Sequence, residues 1–149
     1  MGNIGAVFAS HPQRPPDTCL IEACVAACYD CSAVCVACSD ADLGEADVAN
    51  LICCIRTCHD CSDVCLATAR IVSRLTTPSP MLIEAQLTAC AEVCRVCAAE
   101  CERHMVKHEH CRVSAKACHV CEQACRALLH GASFARSATA PHAWGSGSV

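Results

Sequence analysis

The sequence predicts an all-α fold, an antiparallel up-down four-helix bundle with a cysteine-lined core. Nineteen of the 149 residues are cysteine, and most of them recur at alternating steps of three and four. Such steps place side chains on one face of a helix, as in the seam of a coiled coil. Breaks at Gly44 and at residues 76–80, and a tight turn expected within residues 104–110 although that segment has no glycine or proline, divide the chain into four stretches of this kind. The connections between them are short, and short connections favour antiparallel neighbours.

The limits of the cysteine pattern predict where each helix begins and ends. A polar break ends at Gly44, the acidic Glu45 and Asp47 suit the start of a helix, and the segment 76–80 is the clearest breaker in the chain. Gly131 suits the position that follows a last helix. The expected helices are about Thr18–Ser39, Glu45–Leu75, Pro80 to Arg103 or His104, and His108–Leu129.

Length and composition indicate a single domain with a core of its own. Residues 1–17 contain three prolines and are expected to form an extended or partly ordered arm. Residues 18–130 are expected to form the bundle, and residues 131–149 a flexible C-terminal tail. Aromatic residues are only 3% of the chain, so cysteine, alanine and aliphatic side chains must fill the core.

Charge and hydropathy exclude several classes of function. The formal net charge is −4 and no basic run is present, so we expect no nucleic-acid partner. No segment has the form of an export signal, and no run of about 18 apolar residues suggests a membrane span. We therefore expect a cytoplasmic protein, in which thiols stay reduced and many cysteines indicate metal binding or catalysis. No nucleophile, base and orienting group can be assembled, so we expect no enzyme.

The cysteine spacing predicts a metal-binding core. The motif CxxxCxxCxxxC is complete in the first three helices and partial in the fourth, where Ser114 replaces the leading cysteine. Cysteines four apart on a helix have Cβ atoms about 5–6 Å apart, which lets two sulfurs hold one ion. A buried cysteine is often only a small apolar side chain. Seventeen cysteines in one helical register are too many to be explained only as apolar filling of the core. Cys19 and Cys53 lie outside this register.

The predicted metal ligands comprise all nineteen cysteines and two histidines. They are Cys19, Cys24, Cys28, Cys31, Cys35, Cys38, Cys53, Cys54, Cys58, Cys61, Cys65, Cys90, Cys94, Cys97, Cys101, His104, His108, Cys111, Cys118, Cys121 and Cys125.

Charge favours Cu(I), with multiple ions per chain. Thiolates select Cu(I), zinc and iron–sulfur clusters. One Cu(I) with one thiolate is neutral, whereas zinc with four thiolates carries a charge of −2, which is costly to bury several times over. A zinc or cadmium sink of metallothionein type stays open as an alternative. An iron–sulfur carrier is less favoured because cluster motifs lie mostly on loops, and a metal sensor lacks a DNA-binding element.

Two histidines are predicted to mark one end of the bundle. His104 follows Cys101 by three residues, and His108 follows His104 by four. We expect this pair to form an entry site that hands metal to Cys38 and Cys111, with a pair of exposed loop histidines as the alternative. The other histidines of the helical region are left outside the predicted site: His59, His110, His119 and His130.

Over roughly residues 18–130 the chain resembles the cytosolic bacterial copper storage proteins. The resemblance lies in four cysteine-lined helices with CxxxCxxCxxxC motifs and in histidines near one end. It implies a homotetramer of bundles, many Cu(I) ions bound by cysteine, little or no catalysis, and metal entry at His104 and His108. The mean hydropathy of +0.33 also favours an oligomer. We expect a copper chaperone as the donor, and Ser114 departs from the pattern by thinning the thiol column.

Overall fold

The computed structural model of the chain describes residues 2–131. Within this part every regular element is helical. The elements in chain order are α1 (Asn3–Ala9), α2 (Thr18–Gly44), a 3-10 helix (Val48–Asn50), α3 (Ile52–Val72), α4 (Pro80–Glu102) and α5 (Glu109–Gly131).

Helices α2 to α5 form the predicted four-helix bundle. Each packs against the next along the chain, and α5 returns to pack against α2, so that the four helices enclose one core. The cysteine faces of all four helices point into that core because their spacing of three and four residues gives each helix a single buried stripe. The fold class predicted from the sequence is therefore confirmed.

The two ends of the bundle differ in chemistry. At one end, here called the closed end, α2 and α4 begin and α3 and α5 finish, and the core consists of large apolar side chains. The buried residues of the closed end are Phe8, Ile21, Val72, Ile83, Leu87 and Leu128. At the opposite end, here called the mouth, α2 and α4 finish and α3 and α5 begin, and acidic and histidine side chains gather there.

The predicted break between the first two long helices is wrong in its position. Helix α2 runs through the polar segment 40–44, because Asp42 falls on its buried face, and it ends only at Gly44. Helix α3 begins at Ile52 rather than at Glu45. Glu45 and Asp47 do not start α3; their carboxylates pair with side chains of the mouth, and Asp47 precedes the short 3-10 helix.

The other boundaries lie close to those predicted. Ser79 caps α4 by accepting a hydrogen bond from the backbone N–H of Leu82, and Pro80 occupies the first turn, where its missing N–H costs nothing. Gly131 is the last residue of α5 rather than the residue after it. The predicted tail otherwise lies outside the described residues.

The N-terminal arm contains a helix that was not predicted, because the prolines of the arm indicated an extended or partly ordered segment. Helix α1 spans Asn3–Ala9, ahead of the proline-containing segment, and packs against α2. Phe8 is only 2% exposed and joins the apolar core of the closed end. Burial of this large side chain gives the short helix a reason to form that local propensity alone does not supply.

Helix α2 is long and apolar enough, by length and composition, to cross a membrane. Among the described helices it alone passes this test, although the sequence was expected to hold no such stretch. In the bundle its cysteine stripe and Ile21 are buried against the neighbouring helices. The apolar composition of α2 is therefore explained by its place in the core and by the cysteines on its buried face.

Candidate metal centre

Seventeen cysteines share one continuous core, and each of them is at most 2% exposed. None of the cysteines is paired in a disulfide. Sulfurs from different helices approach closely: Cys65 Sγ lies 3.5 Å from Cys94 Sγ, and Cys28 Sγ lies 3.6 Å from Cys121 Sγ. The helical register therefore brings the thiols of four helices together, as the sequence predicts.

The sulfurs fall into overlapping sets of four whose members all lie within 4.8 Å of one another. The sets that contain only cysteine include Cys28, Cys90, Cys121 and Cys125; Cys31, Cys65, Cys94 and Cys121; Cys31, Cys35, Cys61 and Cys118; and Cys38, Cys54, Cys58 and Cys101. Cys31 and Cys121 each belong to two sets. A sulfur shared in this way can bridge two ions, so the first three of these sets are connected, whereas the fourth shares no sulfur with them. All four sets lie in one column of buried thiols.

Three positions of the pattern depart from the column. Cys19 and Cys53 are exposed, so the structure does not bring them to the other predicted ligands. Cys19 and Cys53 are exposed because they lie outside the register of the other cysteines. Ser114 lies in register and is buried, with its Oγ 3.8 Å from Cys35 Sγ and 3.9 Å from Cys58 Sγ. A hydroxyl thus replaces a thiol at this level.

The two predicted entry histidines lie at the mouth, but they face carboxylates. His104 Nε2 lies 3.2 Å from Glu100 Oε1. His108 is only 4% exposed; its Nδ1 lies 3.2 Å from Glu45 Oε1, and its Nε2 makes no hydrogen bond within residues 2–131. Within the same part of the chain, neither ring makes a hydrogen-bond contact to a cysteine. The predicted direct transfer to Cys38 and Cys111 therefore lacks a contact.

His110 contacts cysteine sulfurs at the mouth, which His104 and His108 do not. It was not among the ligands predicted from the sequence. Its Nδ1 lies 3.6 Å from both Cys38 Sγ and Cys111 Sγ. Its ring centroid is 5.4 Å from that of His108, so the two rings are neighbours. Its position directly before Cys111 was the available signal.

Asp42 is a second side chain at the mouth that was not among the residues predicted from the sequence. It is fully buried, and Oδ1 accepts a contact from Cys111 Sγ at 3.5 Å. The signal was present in the sequence, because Asp42 follows Cys38 by four residues and so continues the step of the cysteines. Because the residues around Asp42 are acidic, the segment was interpreted as a polar break, and the register of the cysteines was not extended to Asp42.

The thiol network changes the acidity of its members. The neighbouring Cys125 thiol and then the Cys28 thiol lower the pKa of Cys24 to about 5 by stabilising its thiolate. At the mouth, burial and then the neighbouring charge of Asp42 raise the pKa of Cys111 to about 12. Burial also raises the pKa of the Asp42 carboxyl, against the lowering effect of the Cys54 and Cys111 thiols. A bound cation removes the cost of each buried negative charge.

Comparison with known proteins decides the family. The model of the copper storage protein family matches residues 18–130. The chain belongs to the copper storage protein family. Its fold matches the copper storage protein Ccsp from Streptomyces lividans loaded with 10 copper equivalents, with a TM-score of 0.85 and 45% identity over 87% of this chain and 100% of that one.

Two further proteins are similar to the chain and support the same family. A form of the cytosolic Streptomyces lividans protein with five coppers matches with a TM-score of 0.75 and 50% identity, over 76% of this chain and 94% of that chain. The uncharacterized cysteine-rich protein YhjQ of Bacillus subtilis (strain 168) is 38% identical over 107 residues, which are 72% of this chain and 94% of the relative. The function of the family is copper storage, and in this member the buried cysteine sets are the groups available to hold copper.

We expect the substitution Asp42→Asn to stabilise the reduced, metal-free protein at neutral pH. The raised pKa means that the folded state holds the carboxyl proton more tightly than the unfolded state does. As pH rises above the ordinary value of 3.8, the unfolded state ionises first and the wild type loses stability. At pH 7 the variant should be more stable by about 1–3 kcal/mol, and the difference should close towards acid pH.

Urea unfolding at several pH values measures this difference. Asp40→Asn is the matched control, since Asp40 is exposed on the same helix, and its effect should stay within about 0.5 kcal/mol. A variant at position 42 that is less stable than the wild type at pH 7 would contradict the assignment of a buried, poorly compensated carboxylate.

Proposed function

We propose that the chain stores many Cu(I) ions on the seventeen core thiols and so buffers cytoplasmic copper. The continuous column of free, buried thiols is the observation that carries this proposal. Each Cu(I) that replaces one thiol proton leaves the core neutral, so loading can proceed along the whole column without accumulating buried charge. Free thiols in this number also suit a reducing compartment.

The four-thiol sets support Cu(I) over a divalent cargo. A zinc ion in each all-cysteine set would leave a charge of −2 per set, and the core around the deeper sets is apolar. Three of the sets are also linked by the shared sulfurs of Cys31 and Cys121, which suits an ion of low charge bridged by thiolates. The same argument makes a zinc or cadmium sink the weaker alternative.

An anaerobic titration of the reduced chain with Cu(I), in the presence of a competing chelator, tests the store. We expect saturation near one ion per core thiol. The double variant Cys19→Ser/Cys53→Ser should keep the full capacity, because both residues are exposed. The matched variant Cys61→Ser/Cys94→Ser should lose capacity, since both thiols lie in the column. Saturation at one or two ions would contradict storage.

We propose that Cu(I) enters at the mouth and passes from His104 and His108 to His110, and then to Cys38 and Cys111. Support comes from the neighbouring rings of His108 and His110 and from the contacts of His110 with both sulfurs. Imidazole exchanges Cu(I) more readily than a set of thiolates does. A copper chaperone would deliver the ion at the same end, since the closed end is sealed by apolar side chains.

Stopped-flow uptake of Cu(I) tests this route. His110→Ala should slow loading by roughly tenfold without changing the final capacity, because it removes the group that links the outer histidines to the thiols. His104→Ala/His108→Ala should slow the earliest phase. His119→Ala is the control, because His119 is half exposed and pairs with Glu102 at 2.6 Å. Equal rates for all variants would exclude the histidine route.

We propose that the chain forms a homotetramer. Two stripes of exposed apolar side chains with a spacing of seven residues support an interface. One is on α2, at Tyr29, Val36 and Leu43, and the other runs into α5, at Val106, Val113 and Val120. Exposed apolar stripes of this kind mark protein contacts.

Light scattering after size-exclusion chromatography measures the assembly. The wild type should have the mass of four chains, and Val36→Asp/Val113→Asp should dissociate it, because a charge would have to be buried in the interface. As a control, Ala89→Asp adds one negative charge at an exposed position of α4 and should leave the assembly intact. A monomeric wild type would contradict the proposal.

A further inference from the structure

The core side chains lie in levels across the bundle, to which each of the four long helices contributes one residue. In two of these levels every helix supplies a cysteine, and sulfurs on neighbouring helices lie 3.6 to 3.9 Å apart. These levels are Cys28, Cys65, Cys90 and Cys121 and, one step nearer the mouth, Cys31, Cys61, Cys94 and Cys118. The next level towards the mouth consists of Cys35, Cys58, Cys97 and Ser114, so that α5 supplies a hydroxyl there instead of a thiol.

The hydrogen bonds between sulfurs, at 3.5 to 4.0 Å, fall into two groups on either side of Ser114. The inner group is Cys24, Cys28, Cys31, Cys35, Cys61, Cys65, Cys90, Cys94, Cys118, Cys121 and Cys125. The outer group, nearer the mouth, is Cys54, Cys58, Cys97 and Cys101. Within residues 2–131, no hydrogen bond between sulfurs at these distances joins the inner group to the outer group.

The side chain of Ser114 lies between the two groups and contacts both. It is fully buried, and its Oγ lies 3.8 Å from Cys35 Sγ of the inner group and 3.9 Å from Cys58 Sγ of the outer group. A hydroxyl can donate and accept hydrogen bonds, so it is accommodated among thiols. Its oxygen is a hard, neutral donor, however, whereas Cu(I) is selected by soft thiolates. Ser114 therefore fills the place of a linking thiol without supplying its chemistry.

The row of thiols along α5 has its longest interval at this point. Cys111 and Cys118 are seven residues apart, which is about 10 Å along the helix axis. Elsewhere in the rows of buried cysteines the steps are three or four residues. Cu(I) moves between thiolates most readily when the incoming sulfur binds before the outgoing sulfur leaves. An ion cannot do this along α5 at Ser114, and must cross among the other three members of its level.

We propose that Ser114 divides the stored copper into two pools, an outer pool that exchanges readily at the mouth and an inner pool that exchanges slowly. This division rests on the proposed Cu(I) store. Ser114 is a positioning residue in it, because it acts by withholding a ligand. Exchange changes only the thiolates that hold each Cu(I), with no change of oxidation state, and a thiolate that loses its ion takes up a proton. The chain would thus release part of its copper while it retains a reserve.

The release of copper to a competing ligand tests the division. The reduced full chain is loaded with Cu(I) to capacity under anaerobic conditions and mixed with a large excess of a chromophoric Cu(I) chelator. We expect two phases, a smaller fast phase and a larger phase that is at least about tenfold slower. Native mass spectrometry during the experiment should show a partly emptied species that persists between the phases. Release in a single phase would overturn the division.

The substitution Ser114→Cys supplies the missing thiol. It should bring the two release rates to within about threefold of each other, because the two groups are then joined by a thiolate. Ser62→Cys is the matched control, since Ser62 is buried between α3 and α2, where its Oγ lies 3.0 Å from Ser32 Oγ, and it lies outside the column. This variant should keep both phases. Unchanged phases in Ser114→Cys would show that Ser114 is not the divider.

The substitution Ser114→Ala separates the absence of a thiol from any action of the hydroxyl. It removes one oxygen and adds no ligand, so both the capacity and the two phases should stay as in the wild type. Merged phases in Ser114→Ala would overturn the proposal, because the hydroxyl itself would then control release. The capacity distinguishes the two levels of inference. A wild type of low capacity contradicts the store and the division together, whereas full capacity with a single release phase contradicts the division alone.

Discussion

The alternation of three and four residues between cysteines is the constraint on which the rest of the structure depends. It turns each long helix into a rod with one thiol face, and four such faces can be buried only by turning them towards one another. The seventeen buried thiols of the core follow from this arrangement. Neighbouring sulfurs lie 3.5 to 4.0 Å apart and no disulfide joins them, so helix packing brings them together.

Such a core has to be stable in two very different states. Without metal, it consists of small, weakly polar side chains, so the stability of the bundle depends on the apolar closed end, where Phe8, Leu87 and Leu128 are buried. With metal, binding to the folded state adds stability by linkage, because unfolded chains do not hold the thiols together. The closed end provides the stability that the thiol core lacks before loading. It also leaves the mouth as the end with polar groups that can exchange ions with solvent.

Much of this organisation could be predicted from the sequence, and the failures have a common cause. The buried helix faces, the exposure of Cys19 and Cys53, and the hydroxyl at Ser114 all follow from register, which is a local property. The mouth is built by residues from three separate segments, and Glu45 and His110 meet only after the bundle has formed. Local rules assigned Glu45 to a helix start because acidic residues favour that position. The tertiary contact with histidine proved stronger than this preference.

Asp42 shows how the two levels interact. Its register places it in the core with the cysteines, while its charge makes burial costly, and the structure leaves one of its oxygens without a partner. A sequence selected for stability alone would carry a cysteine or an apolar residue there, as it does at the preceding positions of the stripe. Conflict between a local rule and the fold is expected where a residue serves function, because the cost is then met only when a ligand arrives. The carboxylate therefore marks the level at which the core changes from thiols alone to a mixed set of sulfur and oxygen donors.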